Sequence, residues 1–242
     1  MTDQKRALVT GGSGALGGAI CERLAADGFE VFIHANGAIA SAQALAEKIT
    51  ASGGSARALQ FNVTDAEATL NVLAPLVEEK AFQILVNCAG IHEDAVFAGM
   101  NARQWHSVID VSLHGFFNVT QPLMLPMLRT RYGRIINISS VAAIAGNRGQ
   151  VNYAAAKAAL HGATKSLAQE VASRGVTVNV VAPGIIESPM IEGAYDAEAV
   201  ARIVPMKRVG KPQEVAALVA FLASKDAGYI TGQIISINGG MI

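Results

Sequence analysis

The sequence predicts one α/β domain over residues 1–242, with a Rossmann-like, doubly wound parallel sheet of about seven strands and helices on both faces. Three observations predict this fold. Short apolar strand patterns alternate with helix patterns, hydrophobic residues make up 51% of the chain, and no Pro/Ser-rich linker divides it. Strands that are apolar on both faces need helices on each side, so we expect parallel pairing through crossover helices.

The expected elements follow in a regular order along the chain. Strands are predicted at 6–10, 30–34, 55–63, 83–87, 133–139, 176–182 and 233–238. Helices are predicted from the glycine-rich loop 11–18 to about Asp27, over 41–52, from Asp65 to before Lys80, over 101–128, through Tyr153, and over 212–222. Residues 185–206 are expected to be irregular or weakly helical and to form a lid.

Composition and charge exclude several classes of protein. The net charge of +0 gives no electrostatic attraction to nucleic acid or to an anionic membrane. Neither a signal peptide nor an apolar run long enough to span a bilayer is seen, so we expect a cytoplasmic protein with no membrane partner. The two cysteines and five histidines do not stand at metal-ligand spacings, and no metal site is predicted.

A glycine-rich loop follows the first strand. Residues 12–17 match the pattern G-x-G-x-x-G at the start of a helix, where glycines let the backbone approach a pyrophosphate and the helix N-terminus favours its charge. A glycine-rich turn without a ligand is the alternative. The position between strand and helix favours dinucleotide binding.

The end of the second strand bears on which dinucleotide binds. Many NAD-binding folds carry an acidic residue there that binds the ribose 2′-OH. This strand instead ends in His34, Ala35, Asn36 and Gly37. No carboxylate would repel a 2′-phosphate, so NADP is permitted. No Arg or Lys occupies these positions either, so NAD is not excluded.

A tyrosine and a lysine are candidates for acid–base chemistry. Tyr153 and Lys157 are four residues apart, so they project from one face of the predicted helix. The ammonium is expected to lower the pKa of the phenol. Ser140, at the end of the preceding strand, can hydrogen-bond a substrate carbonyl oxygen. The set suits proton transfer to an alcohol oxygen, although a Tyr-Lys pair alone is a weak signal and serines at a strand end are commoner as a turn.

The ordered set of motifs is more specific than any single motif. It comprises the glycine loop, Asn87-Cys88-Ala89-Gly90, Ser140, Tyr153-Ala-Ala-Ala-Lys157 and Pro183-Gly184. This set resembles the short-chain dehydrogenase/reductase family over essentially the whole chain. Within that family the chain is most similar to the 3-oxoacyl-acyl-carrier-protein reductases, through stretches 133–136, 149–157, 230–232 and 238–241. Stretches 146–149 and 205–208 resemble the variant reductases of aryl polyene assembly.

The resemblance implies a role for each matching residue. Tyr153 would be the general acid, Lys157 would lower its pKa and hold the nicotinamide ribose, and Ser140 would orient the substrate carbonyl. Further cofactor contacts would come from Gly11, Ser13, Gly14, Leu16, Gly17, Asn36, Asn62, Val63, Asn87, Ala89, Gly90, Pro183, Gly184, Ile186 and Ser188. The implied activity is NADPH-dependent reduction of a 3-oxoacyl thioester on an acyl carrier protein.

The chain departs from the family pattern at three places. Ser112 stands where the family has a catalytic Asn that helps to hold a water linked to the lysine. Ser112 keeps a carbonyl and a hydroxyl, so we expect the proton relay to survive in a weakened form. Ala15 replaces a usual glycine of the phosphate loop, which leaves the cofactor preference open. Cys88 replaces a usual Asn, with little expected effect.

The resemblance also implies partners. It suggests a homotetramer in which long helices pack across an interface, and the small residues after Tyr153 permit close approach. Arg131 and Arg174 match positions that dock the carrier protein, expected near the mouth of the site, although both also fit as solvated charges at helix ends. Two other functions stay open: a secondary-alcohol, sugar or steroid dehydrogenase, and a cofactor-binding regulator without turnover.

Overall fold

The structure is a computed structural model that describes residues 4–188 and 196–242. Its seven strands form one parallel sheet in the order β3-β2-β1-β4-β5-β6-β7. The strands are β1 (Arg6–Thr10), β2 (Glu30–Ala35), β3 (Ser55–Gln60), β4 (Phe82–Asn87), β5 (Gly133–Ile138), β6 (Val176–Pro183) and β7 (Ile234–Ile237). The predicted Rossmann-like sheet is confirmed.

Helices cover both faces of the sheet, as predicted. They are α1 (Ala15–Ala26), α2 (Ile39–Ala51), α3 (Ala66–Glu79), α4 (Ala102–Ile109), α5 (Gly115–Thr130), α6 (Ala142–Ala145), α7 (Val151–Val171), α8 (Ala197–Ile203) and α9 (Pro212–Ala223), with 3₁₀ turns at Phe97–Gly99 and Ala172–Arg174. Helices α1, α2 and α9 pack on one face, and α3, α5 and α7 pack on the other. None of the helices in the described ranges is long and apolar enough to cross a membrane.

The strands alternate between these two apolar layers. On β1, Ala7 and Val9 join the layer of α1 and α9, whereas Leu8 joins the layer of α3 and α5. All three side chains are fully buried. This burial on both faces explains why the strands read as continuous apolar runs in the sequence.

The strand order creates a crevice between β1 and β4. The chain passes from β1 to β2 on one side and returns to β4 on the other, so the loops after β1 and β4 diverge. Thr10 joins the two ends, since its hydroxyl oxygen accepts the N–H groups of Cys88 (3.0 Å) and Ala89 (3.1 Å). The glycine loop and the loop after β4 therefore line the same crevice.

A buried amide network connects the middle of the sheet to its helices. Asn137 on β5 is 0% exposed. Its Oδ1 accepts Nδ2 of Asn87 on β4 (2.9 Å), and its Nδ2 donates to the hydroxyl of Thr164 on α7 (2.8 Å). Asn87 also donates to the hydroxyl of Thr120 on α5 (3.1 Å). These bonds fix β4, β5, α5 and α7 relative to one another.

Two predicted elements differ from the structure. The third strand was expected to continue to residue 63, but β3 ends at Gln60 because Asn62 forms a turn, its Oδ1 accepting the N–H of Thr64 (3.1 Å). The helix predicted over 101–128 is divided by a π-helical turn, Asp110–His114, between α4 and α5. The chain stays helical through this turn, and residues 110–114 contain no proline or glycine that would mark it in the sequence.

The lid predicted over 185–206 is described only in part. Residues 189–195 lie outside the described ranges. After them, Asp196 caps α8, and its carboxylate accepts the N–H of Ala199 (2.7 Å). Before them, Ile186 forms a bridge to Gly210. The described parts therefore include one short helix, which agrees with the expectation of weak helicity.

Candidate active site

The candidate catalytic residues meet at the carboxyl end of the sheet. Ser140 follows β5, and Tyr153 and Lys157 lie on α7, which packs beside β5 and β6. The Ser140 hydroxyl is close enough to the Tyr153 phenol to lower its pKa. The Lys157 ammonium donates to the carbonyl of Ile138 (2.9 Å) and lies 5.8 Å from the centre of the Tyr153 ring. The structure thus brings the three residues together.

The first turn of α7 is held by a buried asparagine. Asn152 is 0% exposed, and its Oδ1 accepts the N–H of Tyr153 (2.8 Å). Its Nδ2 donates to the carbonyls of Glu93 (3.0 Å) and Gln104 (2.8 Å). The turn that carries the phenol is therefore fixed to the loop after β4 and to α4. This residue was not singled out from the sequence, although it directly precedes Tyr153.

The expected lowering of the Tyr153 pKa is not what the structure gives. Burial raises the pKa of Tyr153 above its usual value, and the hydrogen bond with Ser140 lowers it by a smaller amount. Burial also lowers the pKa of the Lys157 ammonium. The ammonium is directed at the Ile138 carbonyl, so removal of both groups from water dominates their titration. The phenol is consequently held in its protonated form.

Ser112 lies beside this lysine and has a buried hydroxyl. Its side chain is 4% exposed, on the π-helical turn, and its Oγ has no hydrogen-bond partner among the described residues. A side chain at Gly90 would place its Cβ 3.0 Å from Nζ of Lys157 and 3.9 Å from Oγ of Ser112. The two polar atoms therefore flank Gly90. A buried hydroxyl ordinarily has a partner, so this one can hold a water or a ligand atom.

The glycine loop is shaped for close approach of an anion. Gly11 has φ +66°, and a Cβ at Gly17 would lie 2.2 Å from the carbonyl oxygen of Gly11, so only glycine fits there. Gly14 is the N-cap of α1, and no side chain caps that helix. Its first N–H groups can thus bind phosphate oxygens. Ser13 and Leu16 lie partly exposed beside them. These features fit the pyrophosphate of a nicotinamide dinucleotide.

Two of the predicted cofactor contacts have side chains inside the core. Asn87 uses its amide within the buried network, and Val63 is 4% exposed and packs against Gly115. Any cofactor contact by either residue would have to come from its backbone. By contrast, Asn36 and Asn62 are exposed at the ends of β2 and β3. The apolar spacing of the sequence could not distinguish these two cases.

The remaining predicted contacts lie after β4, at the last residue of β6 and after β6. Ala89 and Gly90 follow β4 in the crevice. Gly184 donates its N–H to the carbonyl of Ile237 (2.9 Å), and Pro183 accepts the N–H of Val141 (2.7 Å). Ile186 and Ser188 follow at the start of the predicted lid, partly buried. These residues border the same end of the sheet as Tyr153.

A serine and a histidine that sequence reasoning missed join β5 to α7. The hydroxyl of Ser139 donates to the carbonyl of Lys157 (3.1 Å) and is 2.8 Å from Nε2 of His161. His161 is one turn after Lys157, so the spacing of four residues was the available signal. Cys88 also lies near Lys157, and burial raises the pKa of its thiol to about 11, so it adds no charge there.

The two predicted carrier-docking arginines lie at the other end of the sheet. Arg131 precedes β5 and Arg174 precedes β6, and these strands are parallel. Both residues are exposed, and the Arg131 guanidinium donates to the carbonyl of Ser173 (3.4 Å). The pair is therefore close together, but it does not lie near the mouth of the site, contrary to the expectation from the sequence. Strands of this length separate it from Ser140 by roughly 20 Å.

The described residues contain no group of three or more His, Cys, Asp or Glu side chains that could hold a metal ion. The sequence profile of a family described as Enoyl-(Acyl carrier protein) reductase matches residues 12–242.

Several curated proteins are similar over almost the whole chain. The 3-oxoacyl-[acyl-carrier-protein] reductase FabG of Aggregatibacter actinomycetemcomitans is 41% identical, with 97% of this chain and 98% of that protein covered. FabG of Staphylococcus aureus is 45% identical, with 98% of each covered. A 3-oxoacyl-[acyl-carrier-protein] reductase of Synechocystis sp. is 43% identical, with 98% and 96% covered. With its sheet, glycine loop and Ser-Tyr-Lys cluster, the chain belongs to the short-chain dehydrogenase/reductase family.

Proposed function

We propose that this protein is an NADPH-dependent reductase that converts 3-oxoacyl thioesters on an acyl carrier protein to 3-hydroxyacyl thioesters. The observation that carries the proposal is the Ser140–Tyr153 pair, with Lys157 beside it, at the carboxyl end of the sheet. Two hydroxyl groups that converge on one point suit a carbonyl oxygen. The names of the similar proteins supply the substrate class.

The cofactor would lie across the crevice between β1 and β4. Its pyrophosphate would bind the N–H groups at the start of α1, and its nicotinamide end would lie near Gly184 and Lys157. The nicotinamide group supplies the hydride. The absence of a carboxylate after β2 supports NADPH, and the exposed side chain of Asn36 is the polar group nearest in sequence for a 2′-phosphate. NADH is the alternative cofactor.

The protein's own groups would orient the substrate and supply the proton. The hydroxyl of Ser140 would hold the substrate carbonyl oxygen, and the phenol of Tyr153 would donate its proton to that oxygen as it becomes an alcohol. Because burial raises the pKa of Tyr153, the donor stays protonated at neutral pH. Lys157 uses one of its three N–H groups on Ile138, which leaves two for the cofactor ribose and the relay.

The central test compares carrier-bound substrates. We expect NADPH oxidation with a 3-oxoacyl carrier protein and none with the 2-enoyl equivalent, although the family profile is described by the enoyl reaction. Tyr153→Phe should lower kcat by roughly 10² to 10⁴ and leave the NADPH Kd nearly unchanged, because only the proton donor is lost. Lys157→Ala should lower kcat and also weaken NADPH binding. Activity on the enoyl substrate, or Tyr153→Phe with near-normal turnover, would contradict the proposal.

The Ser112 hydroxyl is proposed to hold the water of a proton relay beside Lys157. Its buried, unpartnered Oγ supports this role. We expect Ser112→Ala to lower kcat, whereas Ser112→Asn should keep or raise it, since the amide can hold the same water. Steady-state kinetics at saturating NADPH, with thermal unfolding as a control for stability, would measure the effect. Equal kcat for all three proteins would assign the relay to the backbone carbonyl alone.

We propose that Arg131 and Arg174 bind the carrier protein at the end of the sheet opposite the catalytic residues. The pair lies about 20 Å from the catalytic end of its own sheet. A carrier bound there would have to hold its acyl group on an arm long enough to reach the catalytic end of the same sheet. Otherwise it would deliver the acyl group to the catalytic end of another copy of the chain. The two exposed guanidinium groups suit an acidic partner, because opposite charges steer association.

Charge reversal at both positions tests this docking. Arg131→Glu with Arg174→Glu should raise KM for a carrier-bound substrate by at least about tenfold, and more at low salt, because the pair would then repel the carrier. Turnover of a small thioester without the carrier should stay unchanged. Lys48→Glu, an exposed cation on α2, is the matched control. Equal effects on the carrier-bound substrate and on the small thioester would contradict carrier docking. They would favour a general secondary-alcohol, sugar or steroid dehydrogenase.

A homotetramer is proposed as the assembly. Phe117 and Leu125, two turns apart on α5, are 62% and 65% exposed, which is unusual for large apolar side chains. A Cβ at Gly162 on α7 would have no atom within 4 Å, so this part of the helix is open to a partner. Ala156 on the same helix is instead buried in the core of its own subunit. Sedimentation at micromolar concentration should give a tetramer, and Phe117→Glu with Leu125→Glu should yield smaller species. A wild-type monomer would contradict this assembly.

We also propose that the protein is cytoplasmic, that residues 1–242 form a single domain, and that the chain is most like the reductases of aryl polyene assembly. The alternative is a cofactor-binding regulator without turnover. Detection of NADPH turnover would exclude this alternative.

A further inference from the structure

His34 is a buried histidine that the proposed reaction does not use. It lies near the end of β2 and is 1% exposed. Its Nδ1 is 3.1 Å from the N of Gly11 in the glycine loop, and its Nε2 is 2.9 Å from the carbonyl oxygen of Phe61 after β3. The imidazole packs against the Phe61 ring with 4.1 Å between ring centres. One side chain therefore contacts two separate loops.

The hydrogen bonds fix the protonation state of His34. The N–H of Gly11 can only donate, so Nδ1 must be the unprotonated acceptor. The carbonyl of Phe61 can only accept, so Nε2 carries the hydrogen. Both contacts are satisfied together only by the neutral tautomer with hydrogen on Nε2. A protonated His34 would present an N–H to the N–H of Gly11.

Both contacted segments belong to the proposed cofactor site. Gly11 has φ +66°, its carbonyl accepts the N–H of Gly14 (3.1 Å), and a Cβ there would lie 3.0 Å from Cα of Ala89. Its own N–H is used by His34, so Gly11 shapes the loop without offering that N–H to a phosphate. Phe61 directly precedes Asn62, where the adenine is expected.

We propose that His34 is a positioning residue for the dinucleotide, which holds the glycine loop through its bond to Gly11, while its bond to Phe61 orients the imidazole ring. The inference rests on the proposed cofactor site. Its role is in binding rather than in chemistry, because its hydrogen bonds are to Gly11 and Phe61 rather than to Ser140, Tyr153 or Lys157. Loss of the Gly11 bond should therefore weaken NADPH binding and leave the chemical step intact.

The charge environment gives His34 a simple pH response. The charged residues on β1, β2, β3 and α3, with the N-cap of α3, are Arg6, Glu30, Arg57, Asp65, Glu67, Glu78 and Glu79. Arg6 and Arg57 pair with Glu30, four residues back along β2. Burial lowers the pKa of His34, and the bond to Phe61 opposes this by a smaller amount. Affinity should be full at higher pH and fall as the pH drops through this lowered pKa.

Two amide substitutions separate the two contacts. In His34→Asn, Oδ1 can replace Nδ1 as the acceptor for Gly11 but the bond to Phe61 is lost. In His34→Gln, Nε2 can still donate to Phe61 but Gly11 loses its acceptor. The readouts are the NADPH Kd from fluorescence titration between pH 5 and 8, and kcat at saturating NADPH. Thermal unfolding monitors stability.

We expect His34→Asn to bind NADPH within about threefold of wild type at pH 8, and His34→Gln to bind about tenfold more weakly, since an unpaired buried N–H is costly. Both should keep kcat. The cofactor's 2′-phosphate itself titrates near pH 6, so the difference between wild type and His34→Asn isolates the histidine. Wild type should lose affinity in acid more steeply than His34→Asn. Equal Kd values, or equal losses in both variants, would overturn the proposal.

A measurement on the unaltered protein covers the case in which His34→Gln does not fold. The ¹⁵N shifts of the His34 ring should report hydrogen on Nε2, and acidification should shift the Gly11 amide together with the ring. Hydrogen on Nδ1, or a Gly11 amide that does not follow the ring, would contradict the inference. Failure of wild type to bind NADPH would instead contradict the proposed cofactor site.

Discussion

The buried amide of Asn137 is the interaction on which the catalytic end of the sheet depends. It joins β4, β5 and α7 through hydrogen bonds to Asn87 and Thr164 in the buried interior. An unsatisfied polar group there costs about 1 to 3 kcal/mol. Any shift of β4, β5 or α7 that breaks these hydrogen bonds would therefore destabilise the fold. This constraint sets the position of α7 on β5, and with it the distance between Ser140 and Tyr153.

The same burial determines the acid–base properties of the site. Lys157 is buried and donates to the Ile138 carbonyl at the end of β5. The neighbouring Tyr153 phenol is also buried. Desolvation moves the pKa of the phenol upward and that of the ammonium downward, which opposes the mutual attraction expected from their spacing alone. The protein thus keeps a protonated donor, as a reductase requires.

The crevice between β1 and β4 is organised by contacts that cross between chain segments. Thr10 holds the loop after β4, and His34 holds both the glycine loop and the segment after β3. Each contact satisfies backbone N–H or C=O groups that the loops would otherwise leave unpaired. The proposed cofactor site is therefore shaped by the side chains of Thr10 and His34, in addition to its glycines.

The sequence by itself determined the fold class, the strand order along the chain and the motif residues, because periodicity and glycine placement are local properties. It also placed Ser140, Tyr153 and Lys157 at one site. Only the tertiary structure decided that Asn87 and Val63 turn into the core, that burial raises the pKa of Tyr153, and that Arg131 and Arg174 lie at the opposite end of the sheet from Ser140. These outcomes depend on contacts and desolvation between segments that are distant in the chain, and no short stretch of sequence encodes them.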